Sequence, residues 1–164
     1  MARYPFANPF LPPSLEDRRA AEAALRMTDL WTLRHRVMRT LSGGERQKVH
    51  LAGALAQQTR VLLLDEPTSF LDVPHQEEVR ELLQRINREW GVTILAVTHD
   101  LNAAALSADR ILALREGALV FSGSPDEFMT ANVIRTVFGF SPQFVARPQV
   151  HVPVIVPSPP GGAV

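Results

Sequence analysis

Three short stretches of this chain carry side chains suited to phosphate chemistry. Asp65 and Glu66 stand side by side at the end of an apolar run, Val61–Leu64. A carboxylate in that position offers the hard oxygen ligand that Mg²⁺ prefers, which suits Asp65. Its neighbour Glu66 has the chemistry to orient or deprotonate a water that attacks a phosphoryl group. His99 ends a second β-rich run, Val92–Val97, and its imidazole suits a hydrogen bond to a terminal phosphate. Ser42-Gly43-Gly44 supplies a hydroxyl, two unencumbered backbone N–H groups and the start of a helix, an arrangement that favours an anion. Each stretch alone also has a plain structural reading: two solvated acids, a strand-end histidine, a serine cap with a glycine turn.

The elements that must hold these residues are legible from spacing. Ser14 with Asp17, and Ser42 with Glu45, have the pattern of a capping box and predict helix starts. Val49, Ala52, Leu55 and Ala56 recur at helical spacing and give the second helix a buried side. Asp72 is the expected cap of a third helix, with Pro74 in its first turn and Gly91 as its stop. Val79, Leu82, Leu83 and Ile86 form that helix's apolar stripe. The run at 61–64 lacks alternation and predicts a strand buried on both faces of a parallel sheet. Asp100 caps a short helix, and Ile111–Leu114 and Ala118–Phe121 flank a hairpin turn at Arg115-Glu116-Gly117. Helices return at Pro125–Met129 and Asn132–Phe138. From Ser141 proline and valine dominate, which confines any strand there to an edge. Residues 1–13 read as an irregular lead-in, and the final Pro159-Pro160-Gly161-Gly162 as disordered. Strand–helix alternation over 61–114 predicts an α/β fold with functional groups at the carboxyl ends of strands.

Composition narrows the class. The 164 residues are 46% hydrophobic and carry a formal net charge of +0. Such a chain has enough apolar matter for a core, and without a basic stripe it does not predict a nucleic-acid partner. It contains no cysteine, which excludes disulfides and thiolate metal sites. No apolar run is long enough to span a bilayer, and the N-terminus lacks the pattern of a secretory signal.

Taken together and in order, LSGGERQ at 41–47, VLLLDEPTSFLD at 61–72 and VTHD at 97–100 resemble the ABC-type ATPases. There they are the signature loop, the Walker B strand with D-loop, and the H-loop. The resemblance runs from about Arg3 to about Val156. Glu45, the stretch Asp72-Val73-Pro74-His75-Gln76 and His99-Asp100-Leu101-Asn102 narrow it to importer ATPases for iron–siderophore, haem and cobalamin. Arg3-Tyr4-Pro5 resembles the segment after the Q-loop in that branch. The resemblance implies an α/β fold, an incomplete P-loop NTPase (ABC ATPase, RecA-like) core with a remnant of the helical subdomain. Residues 1–40 would belong to the helical subdomain, 41–140 to the signature helix and core, and 141–164 to a tail.

The resemblance also implies roles. Ser42, Gly43 and Gly44 would meet the γ-phosphate of ATP held by a second ATPase subunit, and Glu45 belongs to the same signature set that binds this nucleotide in trans. Asp65 would serve Mg²⁺, Glu66 the hydrolytic water, Asp72 the dimer seam and His99 the γ-phosphate. ATP and Mg²⁺ are the implied cofactors. The implied partners are the membrane permease subunits and a second ATPase subunit, with a periplasmic or surface binding protein acting indirectly. The implied place is cytoplasmic, on the inner face of the membrane through the permease. Phe70 and Asp29 depart from the small residue and the helix-ending glycine usual at their positions.

The phosphate cradle Gly-x-x-x-x-Gly-Lys-[Ser/Thr] occurs nowhere in the sequence, whose sole lysine, Lys48, follows Gln47. The expectation is therefore a front-incomplete domain, from a truncated gene, a wrong start or a split chain, inactive alone. Its sheet would lack the strand between those matching Val92–Val97 and Ile111–Leu114, leaving unpaired edges. The alternative is a non-catalytic module whose signature loop caps ATP on a complete partner. A DNA-repair ATPase relative is disfavoured by the neutral charge and the absence of coiled-coil heptads.

Overall fold

A computed structural model describes residues 12–148 and 150–156. The lead-in before Pro12, the Arg3-Tyr4-Pro5 segment and the last eight residues lie outside the described residues. The chain divides into two compact units, one through Val97 and one from Thr98.

In the first unit α1 (Leu15–Met27) starts on Ser14, whose hydroxyl accepts from the Asp17 N–H while the Asp17 carboxylate accepts from the Ser14 N–H. Asp29 follows α1 in the left-handed region at φ 59, the conformation a glycine would supply. Its carboxylate accepts from Arg85 Nη2 at 2.6 Å, and Arg85 also donates to the Met27 carbonyl at the helix end. The segment after it winds into short 3-10 turns at Trp31–Leu33 and Met38–Thr40. α2 (Gly43–Leu55) starts on Ser42, and α3 (Val73–Trp90) on Asp72. Gly91 ends α3 at φ 63, where a side chain would be strained. Between and after these helices, β1 (Val61–Asp65) and β2 (Thr93–Val97) pair in parallel, with Leu63 opposite Leu95 and Asp65 opposite Val97. Ala24, Met27, Leu51, Leu55, Val79, Leu82 and Ile86 from the helices pack with Leu62 and Val92 into one core.

That core covers one face of the strands. Leu62 is buried, but Val61 is 51% exposed, Leu63 70%, Leu95 50% and Val97 61%. The expectation that 61–64 is buried on both faces is thus corrected. Residues alternate across a strand, and among the described residues β1 and β2 contribute Leu62, Leu64 and Ile94 to this packing. The strand pair also has open edges: β1 and β2 pair with each other alone among the described strands.

The second unit opens with α4 (Leu101–Ser107), capped by Asp100, whose carboxylate accepts from the Ala103 N–H. β3 (Ile111–Arg115) and β4 (Ala118–Gly123) form the expected hairpin, antiparallel, turned by Glu116 at φ 52 and Gly117 at φ 80. Two successive left-handed residues make the tight turn whose twist suits a hairpin. β3 therefore pairs with its sequence neighbour β4 and with no other described strand. α5 (Pro125–Phe128) starts on a further capping box, Ser124 with Glu127, and α6 (Ala131–Phe138) stops at Gly139, φ 78. β5 (Gln143–Arg147) and β6 (Val150–Val156) make a second antiparallel pair. Pro153 is accommodated in β6 because a two-stranded ladder leaves every strand an edge. Ile111, Ala113, Phe128, Met129, Ile134 and Val137 form this unit's core.

Candidate functional site

The Ser42 loop is built by its cap. Ser42 Oγ accepts from the Glu45 N–H at 3.1 Å, and Glu45 Oε2 accepts from the Ser42 N–H at 2.7 Å. Ser42 and Gly43 are exposed and Gly44 is buried. The two glycines differ in kind. A Cβ on Gly43 would meet only Leu71 Cδ2, at an ordinary 3.8 Å. On Gly44 it would stand 2.5 Å from His75 Cδ2, so Gly44 is small because the imidazole lies against it. His75 in turn is tied to the cap of α3: its N–H donates to Asp72 Oδ1 at 3.2 Å and its ring Nδ1 contacts the same oxygen. That ring contact, first, holds the Asp72 carboxyl below the usual carboxylate range. The starts of α2 and α3 thus meet through Gly44 and His75, bringing Ser42–Glu45 and Asp72 into one neighbourhood.

Lys48 extends this junction. Its Nζ lies 2.7 Å from Glu78 Oε2, and the ammonium hydrogen bond lowers the Glu78 pKa. This ion pair joins one turn of α2 to the second turn of α3. The lysine therefore has a structural partner in the same unit.

Asp65 and Glu66 lie where the strand end was expected to place them. Asp65 is exposed. Glu66 turns the chain out of β1 at φ 44, its N–H donating to the Val97 carbonyl at 2.9 Å. Its carboxylate accepts from Ser69 Oγ at 2.6 Å, and its own carbonyl accepts from the Ser69 N–H. The turn continues to Phe70, also left-handed at φ 64 and fully exposed. Phe70 therefore presents its ring to solvent in a conformation that is costly for a bulky side chain. Two glutamines reach this turn: Gln47 Nε2 donates to the Pro67 carbonyl at 2.9 Å, and Gln76 Nε2 to the Leu71 carbonyl at 3.1 Å.

The fit to Mg²⁺ follows from the donor set. Among the described residues no three His, Cys, Asp or Glu groups cluster to hold a metal. Mg²⁺ commonly takes one or two protein carboxylates and fills its shell with water and phosphate oxygens. Asp65, exposed at a strand end, fits that single-carboxylate role.

His99 belongs to the second unit. It is exposed, one residue before the Asp100 cap, in a segment where Thr98 Oγ1 accepts from the Asp100 N–H at 3.1 Å. Behind it, Asn102 of α4 makes two hydrogen bonds to β6: its Nδ2 donates to the Ile155 carbonyl at 3.0 Å and its Oδ1 accepts from the Ile155 N–H at 2.8 Å. One amide side chain thus imitates a neighbouring strand. Sequence reasoning did not single out Gln47, His75, Gln76 or Asn102 for these contacts. The contacts of Gln47, Gln76 and Asn102 reach other elements or cross a turn, and the bearing of the His75 ring on Gly44 joins two helices, so nothing local marks them.

The comparisons agree with this architecture. Residues 3–69 match the family model for the ABC transporter. Over 155 residues the chain is 42% identical to the ferric enterobactin transport ATP-binding protein FepC of Escherichia coli, covering 94% of this chain and 57% of that protein. It is 43% identical over 152 residues to the iron(3+)-hydroxamate import ATP-binding protein FhuC of Bacillus subtilis, covering 93% of this chain and 56% of that protein. Among solved structures, an inward-facing metal-chelate type ABC transporter superposes with a TM-score of 0.85 at 29% identity, covering 96% of this chain and 63% of that one. The chain belongs to the ABC transporter ATP-binding family, with the α/β fold of its ATPase domains. It spans somewhat over half the length of those two curated relatives.

Proposed function

We propose that the chain acts in an ATP-binding subunit of an importer for iron–siderophore, haem or cobalamin, energising uptake through permease subunits at the inner face of the membrane. The observation that carries the reading is the junction of the two helix starts. Ser42, Gly43, Gly44 and Glu45 sit beside the Asp72 cap, so the loop that would meet a phosphate and the turn that would line a dimer seam are one surface. Relatives named for ferric enterobactin transport and iron(3+)-hydroxamate import support the class of cargo.

In this reading Ser42, Gly43 and Gly44 present the Ser42 hydroxyl and the amides of an α-helix start to a γ-phosphate held by the second ATPase subunit. Asp65 offers one oxygen ligand to Mg²⁺, whose charge would offset that of the phosphates. Glu66 orients the attacking water, and the hydrogen bond from Ser69 Oγ holds its carboxylate in place at the end of β1. His99 would donate to a γ-phosphate other than the one that the Ser42 loop meets. Asp72 contributes to the seam. A binding protein outside the membrane delivers cargo to the permease and does not touch this chain.

A second reading is favoured by one observation: the 164 residues contain no Gly-x-x-x-x-Gly-Lys-[Ser/Thr]. Phosphoryl transfer needs the cradle, the metal and the water-orienting group together. The chain would then cap ATP on a complete partner and hydrolyse none itself. Both readings are tested by mixing. The purified chain alone should show no ATPase activity above background, and Glu66→Gln should change nothing. Added to a complete importer ATPase subunit disabled in its own signature loop, it should restore turnover, and Ser42→Arg should abolish the restoration. Turnover by the chain alone that Glu66→Gln removes would defeat the capping reading. No effect on the disabled subunit would defeat the role given to the Ser42 loop.

A further inference from the structure

The turn from Glu66 to Leu71 is held in an unfavourable shape by side chains from outside it. Glu66 at φ 44 and Phe70 at φ 64 both occupy the left-handed region, which residues with a side chain rarely adopt. Within the turn, the Ser69 N–H donates to the Glu66 carbonyl at 3.1 Å and the Leu71 N–H to the Thr68 carbonyl at 3.4 Å. From outside, Gln76 holds the Leu71 carbonyl, and Gln47 holds the carbonyl of buried Pro67, the residue next to Glu66. Gln47 lies in α2, one helical turn after Gly43. A helix turn is stiff, so a shift of the Ser42–Gly44 loop moves the Gln47 amide with it.

We propose that Gln47 is a positioning residue for Glu66, and that its bond to the Pro67 carbonyl couples the Ser42–Gly44 loop to the Glu66 turn. Engagement of a phosphate at one subunit's loop would thereby set the water-orienting carboxylate of the same chain, linking two sites that face different nucleotides. The consequence for hydrolysis rests on the roles proposed above for Ser42 and Glu66; the coupling itself rests on one hydrogen bond between two elements of a single unit.

The experiment is hydrogen exchange on the full-length chain without nucleotide or partner, read at the Ser69 and Leu71 amides. Gln47→Met keeps the side-chain length and removes the donor. It should speed exchange at these two amides by about tenfold, the loss expected of one half-buried hydrogen bond, and leave the amides of α1 unchanged. Gln47→Lys restores a donor and should return exchange most of the way to wild type. Glu45→Ala, which breaks the cap of α2, should speed exchange at Ser69 and Leu71 in the wild-type background and add nothing in the Gln47→Met background. Four results would overturn the proposal. Wild-type amides at these positions could already exchange freely. Gln47→Met could act evenly over the whole first unit. The lysine could fail to rescue. Glu45→Ala could act equally in both backgrounds. Because no nucleotide is added, failure of the importer reading shows in the mixing assay and not here.

Discussion

Gly44 illustrates what a single residue decides. Its missing Cβ makes room for the His75 ring, which is fastened to Asp72 at the start of the next helix. Gly44→Ala must push the imidazole off or displace α2, and should destabilise the first unit by about 1–3 kcal/mol. Gly43→Ala, one residue earlier, meets only a distant leucine methyl and should be neutral or slightly stabilising, since alanine is the better helix former. Denaturant melts of the two variants, with His75→Ala added to rescue Gly44→Ala, check this. The sequence alone marked both glycines as bare backbone for an anion. It could not distinguish them, because the distinction comes from an imidazole in a different helix. Ser14, Ser42, Asp72 and Asp100 were legible as caps for the opposite reason: the N–H each one accepts from lies three residues away on the same helix.

At the scale of elements, the same contrast separates the hairpin at Glu116-Gly117 from the strands at Val61–Asp65 and Val150–Val156. The hairpin is local chemistry, two left-handed residues between apolar runs, and it forms where expected. The apolar run at 61–64 says only that the strand is hydrophobic. Which faces are covered depends on elements elsewhere, and only Leu62 and Leu64 turn inward to the core. The last strand was legible only as an edge, because Pro153 interrupts it. Its anchor, Asn102, lies 53 positions from Ile155. Asn102→Ala leaves both polar groups of Ile155 without that partner and should loosen β5 and β6 by about 1–3 kcal/mol while α1 to α3 keep their protection. Hydrogen exchange across 143–156, compared with 43–55, measures it; equal protection in mutant and wild type would refute it.

For the molecule as a whole, the described strands form three separate pairs and no continuous sheet. In the first unit one strand face presents Val61, Leu63, Leu95 and Val97 to solvent beside unpaired edges. Exposed apolar strands with free ladder groups favour association, so the isolated chain should self-associate at micromolar concentration and melt with low cooperativity. Leu63→Lys puts a charge on that face without touching the core. It should shift the chain towards monomer in sedimentation velocity while changing the unfolding free energy of the first unit by no more than about 0.5 kcal/mol. A wild-type chain that stays monomeric and melts sharply would contradict this.

Lys48 has a last consequence, in reagent chemistry. As the only lysine, it gives any amine-directed reaction a single side-chain address, shared only with the chain's α-amino group. That address is one end of the ion pair joining α2 to α3, with Glu78 at the other. Acylation would remove its charge and release Glu78, so the protection of Lys48 from an acyl label reads how far that ion pair is closed.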